Sequence, residues 1–405
     1  MKKQKKLKKH TNRITNRSVK SSTNSIGGIK NGQAVIKVVG VGGGGGNAVT
    51  RMMNSVKLKG VEFIAVNTDA QDLNYVRAHR KLYIGRALTK GLGAGMNPEI
   101  GKQAAEENRS EIAEALENAD IVFITAGFGG GTGTGSSPVI AEIAKEMGIL
   151  TIGVVTKPFI FEGTQRMNIA QEGIARFKDK VDALVVIPND RIFNIIDKNT
   201  SLNRAFSYID DVLKNSVQAI ADIINTPGII NVDFADIKTI MKDAGTALVG
   251  IGVASGADRG VKAVELAINS PLLEFSIEGA KGVLFSVAGG RDLKMIEVSE
   301  IAKTVAESVD ANAKIIFGAY YDHTIKDKQI KVTVIATGFN GMMNSRLQTP
   351  NLFLEQIFRK DNKDKKEETE TEDETKAKKE NSQQLTMSVE EDVLEIPAFL
   401  RKRKK

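Results

Sequence analysis

The chain has no cysteine among its 405 residues. Disulfides, zinc–thiolate sites and cysteine nucleophiles are therefore excluded. Tryptophan is also absent, and aromatic residues make up 5%. That is thin material for the stacking platforms that hold unpaired bases, so no specific nucleic-acid partner is expected. No apolar run approaches the roughly 18 residues of a membrane span. The first thirty residues are basic but lack the apolar middle of a signal peptide, so a cytoplasmic location is the expectation. Acidic residues are missing from positions 1–33, which contribute +10, and the closing RKRKK contributes +5. With a formal net charge of +8, everything between carries −7. The body of the protein is acidic and its basic charge sits on two tails. Such arms suit anionic lipid or nonspecific polyanions, or merely aid solubility.

Glycine is plentiful, and it is concentrated. Residues 129–135 read GGGTGTG, directly after the apolar run DIVFITAGF. Five glycines and two threonines are expected to form a loop whose amides converge on an anion. A helical pattern, PVIAEIAKEM, leaves the loop and places those amides at a helix N-terminus, where partial positive charge suits phosphate. The GK[ST] ending of a P-loop is absent. A second cluster, Gly40 to Asn47, matches G-x-G-x-x-G at the end of a first apolar run, and a third runs from Gly91 to Gly95. One such cluster suits a dinucleotide enzyme, with Asp69 available for a ribose. Several together suit a triphosphate surrounded by amides.

The apolar runs AVIKVVGVG, EFIAVNTD, DIVFITAG, LTIGVVT and ALVVIPND alternate with helical patterns, which predicts a parallel sheet covered on both faces. A long amphipathic stretch, SLNRAFSYIDDVLKNSVQAIADII, predicts one helix stopped by Thr226-Pro227-Gly228. Four further strand-like runs follow, separated by two helices and a tight turn near Lys326-Asp327-Lys328. Residues 359–381 hold nine acids and eight bases with no large apolar residue, a disordered linker. Beyond it Val393, Leu394, Ile396, Phe399 and Leu400 form an apolar cluster on a tether, either a docking peptide or a tail that folds back. The expected divisions are a disordered basic arm over 1–33, an α/β domain over 34–200 and a central helix over 201–227. An acidic loop and helix start cover 228–240, and a smaller α/β domain 241–340. A charged linker over 341–388 and a partner-binding peptide over 389–405 complete the chain.

GVGGGGGNAV, NTDAQ, TKGLGAG, GGGTGTG, VVTKPFIFEG, NVDFAD and EIPAFLR occur in an order that resembles the tubulin/FtsZ family, specifically its bacterial cell-division GTPases. The resemblance covers residues 34–340 and the terminal peptide. It implies a Rossmann-like GTPase domain, a long central helix and a smaller C-terminal domain. It implies GTP as substrate, GDP as product, and Mg²⁺ in place of a phosphate-binding lysine. The triphosphate is expected against Gly43, Gly44, Gly45 and Gly46, against Gly93, Ala94 and Gly95, and against Gly130, Gly131, Thr132, Gly133 and Thr134. Asp69 is either an outer-shell magnesium partner or an ordinary turn residue. Glu162 and Arg166 are expected at the ribose, or are a plain i,i+4 pair. Asn47, Asn189 and Asp210 are expected to read guanine, with Phe206 stacking. Asp211 competes with Asp210, and both also suit the charge preference of a helix start.

The resemblance further implies that Asn231, Asp233 and Asp236 act on the nucleotide of the next subunit, where a carboxylate positions the attacking water. On spacing alone Asp233 and Asp236 equally form a capping box. The implied partners are the chain itself, head to tail, and membrane-anchoring division proteins of the FtsA/SepF type through residues 392–400. The implied place is the midcell septum. A structural filament with incidental hydrolysis and a dinucleotide oxidoreductase are the alternatives.

Overall fold

Valine and isoleucine dominate the first apolar runs, and each becomes a strand in a computed structural model of the chain. The structure describes residues 34–339 apart from 56–59, 195, 197, 198, 227, 271, 272, 274, 275, 323, 324 and 327. The basic arm 1–33, the linker 341–388 and the end peptide 389–405 lie outside the described residues. In chain order the first half comprises β1 (Ile36–Val41), α1 (Gly42–Ser55), β2 (Val61–Asn67), α2 (Ala70–Tyr75), β3 (Arg80–Tyr83), α3 (Arg86–Thr89), α4 (Pro98–Glu107) and α5 (Arg109–Leu116). Then come β4 (Ile121–Gly127), α6 (Thr132–Glu146), β5 (Leu150–Lys157), α7 (Thr164–Lys178), β6 (Ala183–Pro188) and α8 (Leu202–Asn225). These six strands pair in parallel in the order β3-β2-β1-β4-β5-β6. Alternate residues feed opposite faces. Val38 and Phe123 join the core covered by α1 and α8, while Val39 and Ile124 join the core with Ala104, Ile112 and Ile140 on the other side. Strands buried on both faces must be apolar throughout, which is why they are legible as unbroken runs.

The second half holds α9 (Phe234–Met241), β7 (Gly245–Ser255), α10 (Arg259–Ile268), β8 (Gly282–Gly289), α11 (Met295–Glu307), β9 (Lys314–Tyr321) and β10 (Gln329–Thr337). The sheet continues as β6-β7-β10-β8-β9. β6 and β7 pair only at Ala183 with Gly245 and Leu184 with Thr246, so the two halves join through a narrow seam. β9 and β10 are consecutive in the chain but not neighbours. β9 lies parallel to β8, and β10 inserts antiparallel between β7 and β8. α8 packs Leu213, Val217 and Ile220 into the same core as Ile237, Met241 and Leu284, so it binds both halves.

Three expectations change. The glycine clusters are not loops throughout: α1 begins at Gly42 and α6 at Thr132, inside the clusters. Packing overrides glycine's low helix propensity here, because the backbones touch. A Cβ on Gly45 would lie 2.4 Å from the Thr125 carbonyl oxygen, and one on Gly135 1.9 Å from that of Pro98. EIGKQAAEENRSEIAEALEN, one of the helical patterns that alternate with the apolar runs, is not one helix but breaks at Asn108, whose Oδ1 accepts from the Gly85 amide at 2.9 Å. β3, with sequence RKLY, has one buried residue, Leu82, and offers no apolar run to notice.

Candidate functional site

Parallel sheets gather ligands at the C-terminal ends of their strands. Here β1 ends at Val41 and β4 at Gly127, and each runs almost at once into a glycine-rich helix start. The starts of α1 and α6 abut. A Cβ on Gly42 would lie 3.0 Å from the Gly133 nitrogen, and one on Gly44 3.2 Å from that of Gly127. The N-cap of α6 is Gly131, which supplies no side-chain acceptor to its first-turn amides. Two helix N-termini with bare amides thus face one cavity of about 890 Å³. Gly43, Gly44, Gly130, Gly131, Thr132 and Gly133 line it. A Cβ at Gly130 would meet nothing within 4 Å, so that glycine leaves open space over the cradle. The summed N–H dipoles there favour an anion of several charges.

The rest of the cavity suits a nucleoside. Glu162, Arg166, Asn47, Asn189, Phe206 and Asp210 all line it. Glu162 caps its own turn through the Phe159 amide at 2.9 Å and pairs with Arg166. Arg166 Nε and Asn189 Oδ1 are buried without a hydrogen-bond partner in the protein. Orphaned buried polar atoms are costly, and a bound polar ligand relieves the cost. The Phe206 ring stands edge-on to Phe159 at 5.7 Å and remains half exposed, with a face available for a base. Asp210 is largely buried, and burial pushes its carboxyl up to about 6 against the opposing pull of Arg51. Arg51 Nε lies 2.5 Å from Asp210 Oδ2. Asp211 turns to Lys214 at 2.8 Å and does not line the cavity.

Several expected residues stand behind this surface rather than on it. Gly45 and Gly46 pack against Thr125 and Val76. Ala94 buttresses Gly131, where an added Cβ would lie 2.7 Å from the Ala94 methyl; Gly93 and Gly95 flank it, and a Cβ at Gly95 would meet nothing within 4 Å, although neither lines the cavity. The Thr134 hydroxyl accepts from the Gly129 amide at 3.0 Å, so it braces the loop rather than meeting the cavity. Thr132 does line the cavity, and its hydroxyl shares a 2.6 Å hydrogen bond with Thr68. Asp69 caps α2 by accepting from the amides of Gln71 and Asp72. Asp72, absent from the sequence reading, reaches toward the cradle: a Cβ on Gly43 would lie 3.3 Å from its Oδ2. Burial, then the neighbouring Asp69, raise the Asp72 carboxyl above its ordinary range. Among the described residues, no three acidic or histidine side chains are grouped to hold a metal ion. Arg51 and Asp72 carried no signal in the sequence, because each acquires its place from tertiary packing.

Asn231, Asp233 and Asp236 do not line the cavity. Asp233 caps α9, accepting from the Phe234 amide at 3.0 Å, and Asp236 accepts from the Asp233 amide at 3.4 Å. Asn231 accepts from the Gly228 amide at 2.6 Å. The trio follows the far end of α8. Asp210 and Asn225 are 15 residues apart on that helix, about 22 Å along its axis. Within one chain Asn231, Asp233 and Asp236 stand apart from the cavity.

Residues 35–197 match the Tubulin/FtsZ family, GTPase domain, and residues 245–340 match the FtsZ family, C-terminal domain. An empty FtsZ dimer from M. jannaschii is similar at 47% identity over 76% of this chain and 89% of that chain, with a TM-score of 0.72. A point mutant of FtsZ from the same organism gives 47% identity, coverages of 76% and 91%, and a TM-score of 0.71. CetZ1 from Haloferax volcanii, a GDP-bound monomer, shares the fold at 23% identity, with coverages of 75% and 94% and a TM-score of 0.66. With its two abutting helix starts, its orphaned nucleoside-side groups and these matches, the chain belongs to the tubulin/FtsZ family of GTPases, as an FtsZ-type member.

Proposed function

We propose that the chain polymerises head to tail into filaments of a division ring, and that GTP hydrolysis between subunits drives their turnover. The supporting observation is the separation within one chain of the nucleotide cavity from Asn231, Asp233 and Asp236. Head-to-tail stacking brings the far end of α8 in one copy onto the cavity of the next. Asp233 and Asp236 then orient the attacking water, and the two helix N-termini stabilise the phosphates. Mg²⁺ fits this site only as an ion held largely by the phosphates, with Asp69 and Asp72 as outer partners. When bound it would neutralise phosphate charge. Asn189 and Asp210 read the base, Phe206 stacks on it, and Glu162 and Arg166 meet the ribose.

Residues 392–400 are proposed to bind a membrane anchor of the FtsA/SepF type, which places the filament at the cytoplasmic face of midcell. The basic tails add attraction to anionic lipid. Among the described residues, no helix is long and apolar enough to cross a membrane.

Phosphate release measured against protein concentration tests the assembly reading. Specific activity is expected to rise from near zero above a threshold concentration with GTP and to stay absent with ATP. A flat specific activity at all concentrations overturns it. Mixing Asp236→Ala protein with Gly131→Ser protein is expected to restore part of the activity, because each supplies what the other lacks. No restoration, with co-sedimentation confirmed, points to a site within one chain.

A further inference from the structure

Asp210 sits where a guanine reader must be, but it is buried, and a buried carboxyl tends to hold its proton. A protonated carboxyl is the wrong partner. Guanine offers two donors side by side, N1–H and the exocyclic amine, and needs two acceptors in return. Only the carboxylate provides them, since protonation converts one oxygen into a third donor. The cavity therefore needs a fixed positive charge beside Asp210 that leaves part of the carboxylate uncovered.

We infer that Arg51 is the positioning residue for guanine selection: it reaches from α1 to α8, keeps Asp210 ionised and fixes the plane of its carboxylate. The geometry is specific. Arg51 Nε meets Asp210 Oδ2 at 2.5 Å, and Arg51 Nη1 donates to Ser207 Oγ at 2.7 Å. Two anchors three residues apart on one helix face hold the guanidinium plane in place. A carboxylate has about four lone-pair sites, so a carboxylate engaged through Oδ2 by Nε keeps acceptor capacity for the cavity. Arg51 is also a permanent cation at any working pH, which a lysine or histidine in that place would not guarantee to the same degree.

The surrounding charges leave this task to Arg51. Asp211, next to it on α8, acts in the opposite sense by raising the Asp210 carboxyl, and its own carboxylate lies with Lys214. Glu162 and Arg166, the other charged pair of the cavity, are bound to each other. Asn189 is neutral. With Arg51 in place the Asp210 carboxyl titrates at about 6. Both contributions of Arg51, its charge and its hydrogen bond, pull against the burial that raises the carboxyl, so their loss raises it further.

This inference rests on the reading that guanine meets Asp210, and the experiment separates the two. GDP binding is measured by calorimetry between pH 6 and pH 8.5 on the full chain and on Arg51→Met, Arg51→Lys, Ser207→Ala and Asp210→Asn. Titration of the nucleotide phosphates is common to all five proteins and cancels in their ratios. Arg51→Met is expected to bind within about twofold of the parent at pH 8.5 and about fivefold or more weakly at pH 6, where a carboxyl raised by one pKa unit from about 6 keeps roughly a fifth of the parent's ionised fraction. Arg51→Lys is expected to recover much of the neutral-pH affinity, and Ser207→Ala to show a smaller shift of the same sign. An equal loss at every pH means Arg51 acts only by packing and overturns the inference. Tighter binding by Arg51→Met means the arginine competes with guanine and also overturns it. If Asp210→Asn binds GDP as the parent does across the range, the base assignment itself is wrong.

Discussion

A methyl group is a sufficient probe of the two roles that glycine plays around the cavity. At Gly135 it would lie 1.9 Å from the Pro98 carbonyl oxygen and 2.7 Å from the Lys102 nitrogen, both backbone atoms. α4 and α6 would have to part, and Gly135→Ala should cost about 3 kcal/mol or more in urea unfolding. At Gly130 the same methyl meets nothing. Gly130→Ala should unfold within about 0.5 kcal/mol of the parent yet bind GDP more weakly, because the methyl enters space that a phosphate needs. Equal unfolding midpoints for the two variants would refute the distinction between packing and cradle glycines. The sequence shows both residues with the same letter in the same run. It makes the cluster conspicuous without saying which glycines face the ligand. Glu162, Arg166, Asn189, Phe206 and Asp210, all of which line the cavity, are legible through the family resemblance and not from any periodicity of the residues themselves. Arg51 is not, since only the crossing of α1 over α8 tells which acid it reaches.

Two helices carry consequences of their own. α9 begins with an aspartate that is both its cap and the proposed catalytic group, and the two roles can be separated. Asn caps a helix about as well as Asp, so Asp233→Asn should keep the unfolding midpoint and GTP binding while phosphate release falls at least tenfold. Asp233→Ala should lose about 1 kcal/mol of stability in addition. Full hydrolysis by Asp233→Asn would leave the residue as a cap and nothing more. α8 carries a second buried acid, Asp222, 3.8 Å from Lys331 on β10. Burial pushes the Asp222 carboxyl up to about 6, against the pull of Lys331. The folded state therefore binds this proton more tightly than the unfolded chain, so the group's ionisation costs stability as pH rises from about 4 to about 6, and the full cost persists above. Asp222→Asn removes that cost. Its stability relative to the parent should increase by about 2 kcal/mol between pH 4.5 and pH 7.5 in paired urea titrations. A difference independent of pH would show that Asp222 titrates normally. The helices themselves are legible in the sequence wherever a long amphipathic period exists, as in α8. The break between α4 and α5 is not, because its cause is the amide of Gly85, more than twenty residues earlier.

At the scale of the molecule, the sheet is continuous from β3 to β9, yet its two halves are coupled in different ways. The first half is built from successive crossovers, and each strand finds a neighbour already present. The second half depends on its last strand. β7 touches the first half through two residue pairs, and its long partner is β10, which is also one partner of β8. A chain ending at residue 328 lacks β10 and leaves bare edges on β7 and β8. Such edges invite pairing with other chains, so this truncation should sediment as aggregate, whereas a chain ending at residue 343 keeps every described strand and should remain monodisperse with GDP. Comparable monodispersity for the two would show that β7 and β8 close on each other without the insert. The same insertion sets a schedule during synthesis. β8 ends at Gly289 and β10 begins at Gln329, forty residues later, which a ribosome takes about 2 to 8 s to add at about 5 to 20 residues per second. For those seconds the nascent C-terminal half presents an open slot one strand wide, and whatever protects newly made chains from mispairing has to cover that slot until the last strand emerges.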